Sequence, residues 1–92
     1  MIIYAEIEIF LYDCHSLKDK RSVLARLRNQ LTKDWNIAFS EIDYQDLWQR
    51  SKIGIVTISQ SLEISRKVID QIIDRIDQFT EVERTLTHIE ER

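Results

Sequence analysis

From Ile3 to Tyr12 apolar and mixed positions alternate: Ile3, Ala5, Ile7, Ile9 and Leu11 fall on one side, Tyr4, Glu6, Glu8, Phe10 and Tyr12 on the other. A period of two is the pattern of a strand with one buried face. The period then changes. Ser16 stands where a helix N-cap belongs, with Asp19 three residues on as a capping-box carboxylate, and Leu17, Leu24, Leu27 and Leu31 make a stripe supported by Val23. The spacing predicts a helix over Leu17 to Asp34. Ile37 to Ile42 reads as a second strand, Tyr44 to Arg50 as a turn or short bulged connection, and Lys52 to Ser59 as a third strand. That strand is apolar on both faces, Ile53 and Ile55 on one and Val56 and Ile58 on the other, which predicts a central strand with its second face partly covered. Gly54 marks a bulge or a close backbone approach. A second helix from Leu62 to Phe79 carries Ile69, Ile72, Ile73 and Ile76 on its buried stripe, and Val82 to Ile89 closes the chain as strand four.

The order β-α-β-β-α-β predicts an α+β fold of the ferredoxin-like kind: a two-layer sandwich, four antiparallel strands with both helices on one face, in a single domain over residues 1–92. One sheet face is then left open, offering Tyr4, Phe10 and Tyr12 beside Glu6 and Glu8, and such a half-apolar face is commonly a contact surface.

Composition narrows the class. With 92 residues, 43% hydrophobic and 32% charged, one Gly and no Pro, the chain is a compact domain of regular elements joined by short turns. A lone Cys14 forms no internal disulfide, and no apolar run approaches the ~20 residues of a membrane span. The expectation is a soluble cytoplasmic protein. The net charge of −3 conceals a division along the chain. From His15 to Trp35 six basic residues (Lys18, Lys20, Arg21, Arg26, Arg28, Lys33) oppose Asp19 and Asp34, a balance of +4. From Asp70 to Arg92 seven acids oppose three arginines, a balance of −4.

Candidate chemistry follows from that division. Lys18, Arg21 and Arg28 share one helical stripe, with Arg26 and Lys33 beside it, so the face opposite the leucines is almost purely cationic. Cations in the first turn oppose the helix dipole, so helix stability alone does not ask for them. The expected phosphate or RNA contacts are Lys18, Lys20, Arg21 and Arg28, with Trp48 and Arg50 able to stack on a base and clamp a phosphate. Against that, Trp48 equally suits the edge of a small core, and Arg50 a pair with Glu41 or Asp46. The rival interaction reading buries Tyr4, Phe10 and Tyr12 between two copies of the chain. Glu41, Asp43 and Asp46 form the best carboxylate cluster for Mg²⁺, yet Asp46 lies in the turn, where Asp ordinarily accepts backbone N–H bonds. Cys14 and His15 lack a second ligand pair for a metal. No cofactor and no catalytic residue is expected.

Ser16-Leu17-Lys18 followed by Lys20-Arg21, and Glu41 through Asp46-Leu47-Trp48-Gln49-Arg50, resemble the YlxP-like bacterial family of small domains of unknown function, over nearly the whole chain. That resemblance implies a ferredoxin-like fold. Its members are commonly encoded among translation initiation and ribosome maturation factors, which implies a role near ribosomal RNA or ribosomal particles. The chain departs from the pattern at Tyr44, where many relatives carry a histidine, and in its Gly- and Pro-free turn Tyr12-Asp13-Cys14.

Overall fold

A computed structural model describes all 92 residues. The elements run β1 (Ile2–Phe10), α1 (Leu17–Asp34), β2 (Ile37–Asp43), β3 (Arg50–Ile58), α2 (Leu62–Gln78) and β4 (Glu83–Glu91). The strands form one sheet in the order β2-β3-β1-β4, every neighbouring pair antiparallel. This is the ferredoxin-like arrangement expected from the alternation.

Helix α1 begins as its sequence directs. The Ser16 hydroxyl accepts from the Asp19 backbone N–H at 3.0 Å, while the Asp19 carboxylate reaches back to the N–H of His15, also at 3.0 Å. Ser61 caps α2 in the same manner through the N–H of Ile64. These caps satisfy backbone donors that a helix start leaves without partners. The inward residues then meet: Ile3, Ala5, Ile7 and Ile9 of β1 and Ile53 and Ile55 of β3 pack under Leu27 and Leu31 of α1 and Ile69, Ile72 and Ile76 of α2. Each such fully buried Leu or Ile contributes about 1.5–3 kcal/mol. Cys14 belongs to this core; burial, together with the facing carboxylates of Asp19, Glu81 and Asp13, pushes its thiol up and keeps it protonated.

Two expectations are corrected. The second face of β3 is not covered, since Val56 and Ile58 stand 36% and 55% exposed on an open sheet face. Glu41 and Asp43 do not share a strand face, because a register shift sets Glu41 opposite Ile53 on the helix side and Asp43 opposite Lys52 on the open side. The paired carboxylates that a Mg²⁺ site would need are thereby drawn apart.

Ion pairs tie the layers at the surface. Arg84 holds Asp77 through two hydrogen bonds of 2.7 and 2.8 Å, which keep the Asp77 carboxyl below its ordinary range against the opposing effect of burial. On the open face, burial pushes the Glu8 carboxyl up, but hydrogen bonds from Arg50 and Thr85 outweigh it and hold it below the usual glutamate range. A carboxyl whose folded pKa is depressed adds stability that is complete above its unfolded pKa and lost as pH falls through the folded value. Acid titration of stability should therefore show a decline through and below the ordinary carboxylate range, and Glu8→Gln should flatten part of it in denaturant melts collected against pH.

Candidate nucleic-acid interface

The two segments singled out in the sequence meet at one atom. Lys20 is four residues before Leu24 and seven before Leu27, so it lies in the phase of the apolar stripe, and its side chain is only 1% exposed. Its Nζ donates to the carbonyls of Tyr44 (2.8 Å), Gln45 (3.2 Å) and Arg50 (3.4 Å) and stands 2.9 Å from Oε2 of Glu41. Lys20 is therefore not a phosphate contact, correcting its place among the expected RNA-binding residues. It is the internal cation that gathers the loop between β2 and β3.

The rest of that loop is bound just as closely. Ser51 donates to Glu41 at 2.7 Å, Gln49 accepts from Leu11 and donates to the carbonyl of Tyr12 in the turn that follows β1, and Asp43 accepts from the backbone N–H of Tyr44 at 2.7 Å. Tyr44 adopts φ +62°, a left-handed conformation that side chains of its size rarely take. Its ring lies under the Arg50 guanidinium, 4.3 Å from the centroid, with Lys52 at 5.6 Å. Arg50 also donates to Glu8 at 3.0 Å, and not to the Glu41 or Asp46 that its sequence position suggested. Half of its side chain remains exposed, so it is partly neutralised rather than hidden.

Trp48 does not close a core edge. It is 52% exposed, and with Leu47, Phe10, Asp46, Gln49 and Arg50 it borders a shallow hollow of about 400 Å³ at the end of the sheet. Trp48→Ala should consequently leave the thermal unfolding free energy within about 0.5 kcal/mol of the parent, as for surface substitutions without special contacts.

The cationic face of α1 survives in part. Arg26 is bound by both oxygens of Glu81, a partner 55 residues away that the local sequence does not reveal. Lys18, Arg21, Arg28 and Lys33 are exposed and make no ion pair. Arg21 and Arg28 line one groove of about 320 Å³ between α1 and β2, together with Leu24, Ala25, Phe39 and Ser40. Glu41 is the single acid at that groove, and it already faces Lys20 and Ser51. The expected set is thus divided: Arg21 and Arg28 border one groove, Trp48 and Arg50 another hollow, with Lys18 exposed on the first turn of α1. Tyr4 and Phe10 lie half-buried on the open sheet face, and exposed Tyr12 packs edge-on against Phe10 at 4.6 Å. Unforeseen from sequence were the stacking of Tyr44 under Arg50 and a hollow over Gly54.

Comparison with known proteins places these features in context. The family described as Protein of unknown function (DUF503) matches residues 2–89. The chain is 43% identical over 90 residues to the uncharacterized protein YlxP of Bacillus subtilis (strain 168), covering 98% of each. Among solved structures it is similar to the de novo designed protein LFR1 1 with ferredoxin fold (13% identity, TM-score 0.64, covering all of this chain and 87% of that one). It is also similar to the de novo designed protein Foldit4 (12% identity, TM-score 0.62, covering all of this chain and 99% of that one). A third likeness is to a C-terminal segment of the alpha subunit of aIF2 from Pyrococcus abyssi, at 21% identity and TM-score 0.61 over 52% of that chain. At these identities the structural likenesses speak for the fold alone.

Proposed function

The chain belongs to the family described as Protein of unknown function (DUF503); as that membership brings no activity with it, we propose from the geometry a non-enzymatic module that binds structured RNA by its phosphates, on ribosomal particles. The observation that carries this reading is the groove between α1 and β2, where Arg21 and Arg28 face solvent without a carboxylate and the one nearby acid is occupied by Lys20. A cation left without local counter-charge gains most from an external anion, and the planar guanidinium fork matches a phosphate. Seven residues separate the two arginines, about 10 Å along a helix, so one extended backbone can engage both. Lys18, on the first turn of the same helix, adds a third charge. Among polyanions, RNA is favoured by what the family resemblance implies, a place near ribosomal RNA.

The ferredoxin-like sheet does not serve as the nucleic-acid platform in this reading. On the open face Glu6, Glu8 and Glu90 lie among the cations, and Arg50 and Arg92 there are already engaged by Glu8 and Glu90, so that face offers a phosphate backbone no unpaired guanidinium.

Binding through about three phosphate contacts predicts a slope of roughly −2 to −3 in a plot of log K against log salt. Titrating a labelled structured fragment of ribosomal RNA by fluorescence anisotropy at ~50 and ~200 mM salt should show a roughly 20- to 60-fold weakening. Salt-indifferent binding, or none at the lower concentration, would remove the proposal.

A further inference from the structure

The segment between β2 and β3 displays an indole to water, and the chain holds it there. Lys20 Nζ binds the carbonyls of Tyr44 and Gln45 before Trp48 and that of Arg50 after it, at 2.8, 3.2 and 3.4 Å. Gln49, the next residue, is fixed twice: its carbonyl accepts from Leu11 at 2.8 Å and its side chain donates to the carbonyl of Tyr12 at 3.0 Å. Leu47 donates back to Tyr44 at 3.0 Å. With its backbone fastened on both sides, the loop has no slack with which to fold Trp48 into the core. The ring stays 52% exposed beside the hollow of about 400 Å³ at the end of the sheet. Stacking a ligand on a ring fixed in this way costs little further ordering.

We propose that this hollow takes one unpaired guanine base of RNA, stacked on Trp48. The proposal rests on the phosphate reading of the α1–β2 groove and adds a single-stranded nucleotide to it. Bases outside a duplex are read by stacking on aromatic rings and by hydrogen bonds along their Watson–Crick edges. On that edge guanine presents two donors, N1–H and the 2-amino group, beside the O6 acceptor. The border of the hollow carries the complementary groups. Asp46 forms no ion pair within the chain, and a carboxylate can accept two N–H bonds side by side. Arg50 gives Nε and Nη2 to Glu8 and keeps Nη1 as a donor for a carbonyl oxygen such as O6.

Charge and position favour a base over a protein side chain. An aliphatic group in the hollow would strip water from the Asp46 carboxylate without giving it a partner. A lysine or arginine would answer that carboxylate, but it would share the hollow with the half-exposed guanidinium of Arg50. It would also arrive at the end of the sheet where α1 begins, with Lys18 and Arg21 exposed and without ion pairs near the helix start. The same cations serve a polyanion. The groove lies round the loop from the hollow: Lys20 Nζ, 3.4 Å from the Arg50 carbonyl beside the hollow, stands 2.9 Å from Glu41 beside the groove. A strand whose phosphates run from Arg28 to Arg21 is thereby led along α1 towards that loop.

Two labelled RNAs separate the cases: a blunt duplex, and the same duplex with tails of about four nucleotides, one of them guanosine, at both ends of one strand. In fluorescence anisotropy at ~50 mM salt, Trp48→Ala should weaken binding of the tailed RNA by roughly 5- to 150-fold and leave that of the blunt duplex unchanged. Replacing the tail guanosines by inosine, which lacks the 2-amino group, should weaken binding by the parent chain roughly 10-fold. Asp46→Ala should erase that difference. Inosine bound as well as guanosine, or a Trp48→Ala loss that is absent or equal for the two RNAs, overturns the proposal and leaves the hollow to a protein side chain. If Trp48→Ala does not fold, the inosine comparison in the parent and in Asp46→Ala decides alone. The groove reading fails separately: it falls if the blunt duplex does not bind, whereas a guanosine tail still held through Trp48 keeps the hollow. Absence of binding to either RNA removes both.

Discussion

Replacing Lys20 by methionine is expected to destabilise the fold by about 3 kcal/mol, the lower end of what breaking a buried ion pair from one side costs. Three carbonyls, those of Tyr44, Gln45 and Arg50, would lose a donor together, and Glu41 would keep its charge beside an apolar chain. The lower end applies because the Glu41 side chain retains 21% exposure and water can reach it. Urea denaturation measures the loss as a shift of midpoint at unchanged slope. Hydrogen exchange supplies an independent readout: amides of the 44–50 segment should lose protection while those of β1 do not, because the loop opens locally before the sheet does. Adding Glu41→Met should restore part of the stability, since removing both partners leaves no orphaned charge. A Lys20→Met variant as stable as its parent would show that the loop is held by other means.

The largest functional effect is expected from reversing Arg21 and Arg28 together. Each arginine lost removes about one unit from the salt slope, and each glutamate gained places a like charge beside the incoming phosphate. The double reversal should weaken association with structured RNA by roughly 100-fold or more at moderate salt, while stability stays within about 0.5 kcal/mol because both sites are exposed. Lys67→Glu is the matching control: an exposed cation of α2 without an ion pair, remote in sequence from the groove. Equal losses from both variants would mean that net charge alone governs binding. Equal retention would remove the groove from the mechanism.

How legible these features were depended on the range of the interaction behind them. Alternation in Ile3 to Leu11 and the Leu24, Leu27, Leu31 spacing report directly on which side of an element faces the core, so the elements and their order emerged, with α1 running from Leu17 to Asp34 as its spacing predicted. Lys20 was misplaced because its charge was weighed and its phase was not. Four residues before Leu24 it belongs to the inward stripe, and a lysine there announces a buried acceptor set elsewhere in the chain. Arg26 and Glu81 lie 55 residues apart, and nothing local to either signals their meeting. The shift between Glu41 and Asp43 was hidden too, since a bulge leaves residue types unchanged while turning one carboxylate to the other face. Val56 and Ile58 looked like covered residues because a sequence shows that a side chain is apolar and not whether anything lies against it.

That bulge has a bearing on how the chain behaves when crowded with others. Strand β2 lies at the border of the sheet, where backbone groups without partners invite any passing strand to add on. A newcomer could keep step with Ile37 to Glu41 and would then fall out of register, because the ladder shifts before Asp43. Beneath that same border sit two opposite charges, Glu41 and Lys20, which a flat stacked ribbon could not shelter from its neighbours. The short, kinked and charge-backed margin is therefore a poor template for an added strand on the β2 side, and it is built from the very residues that fasten the loop.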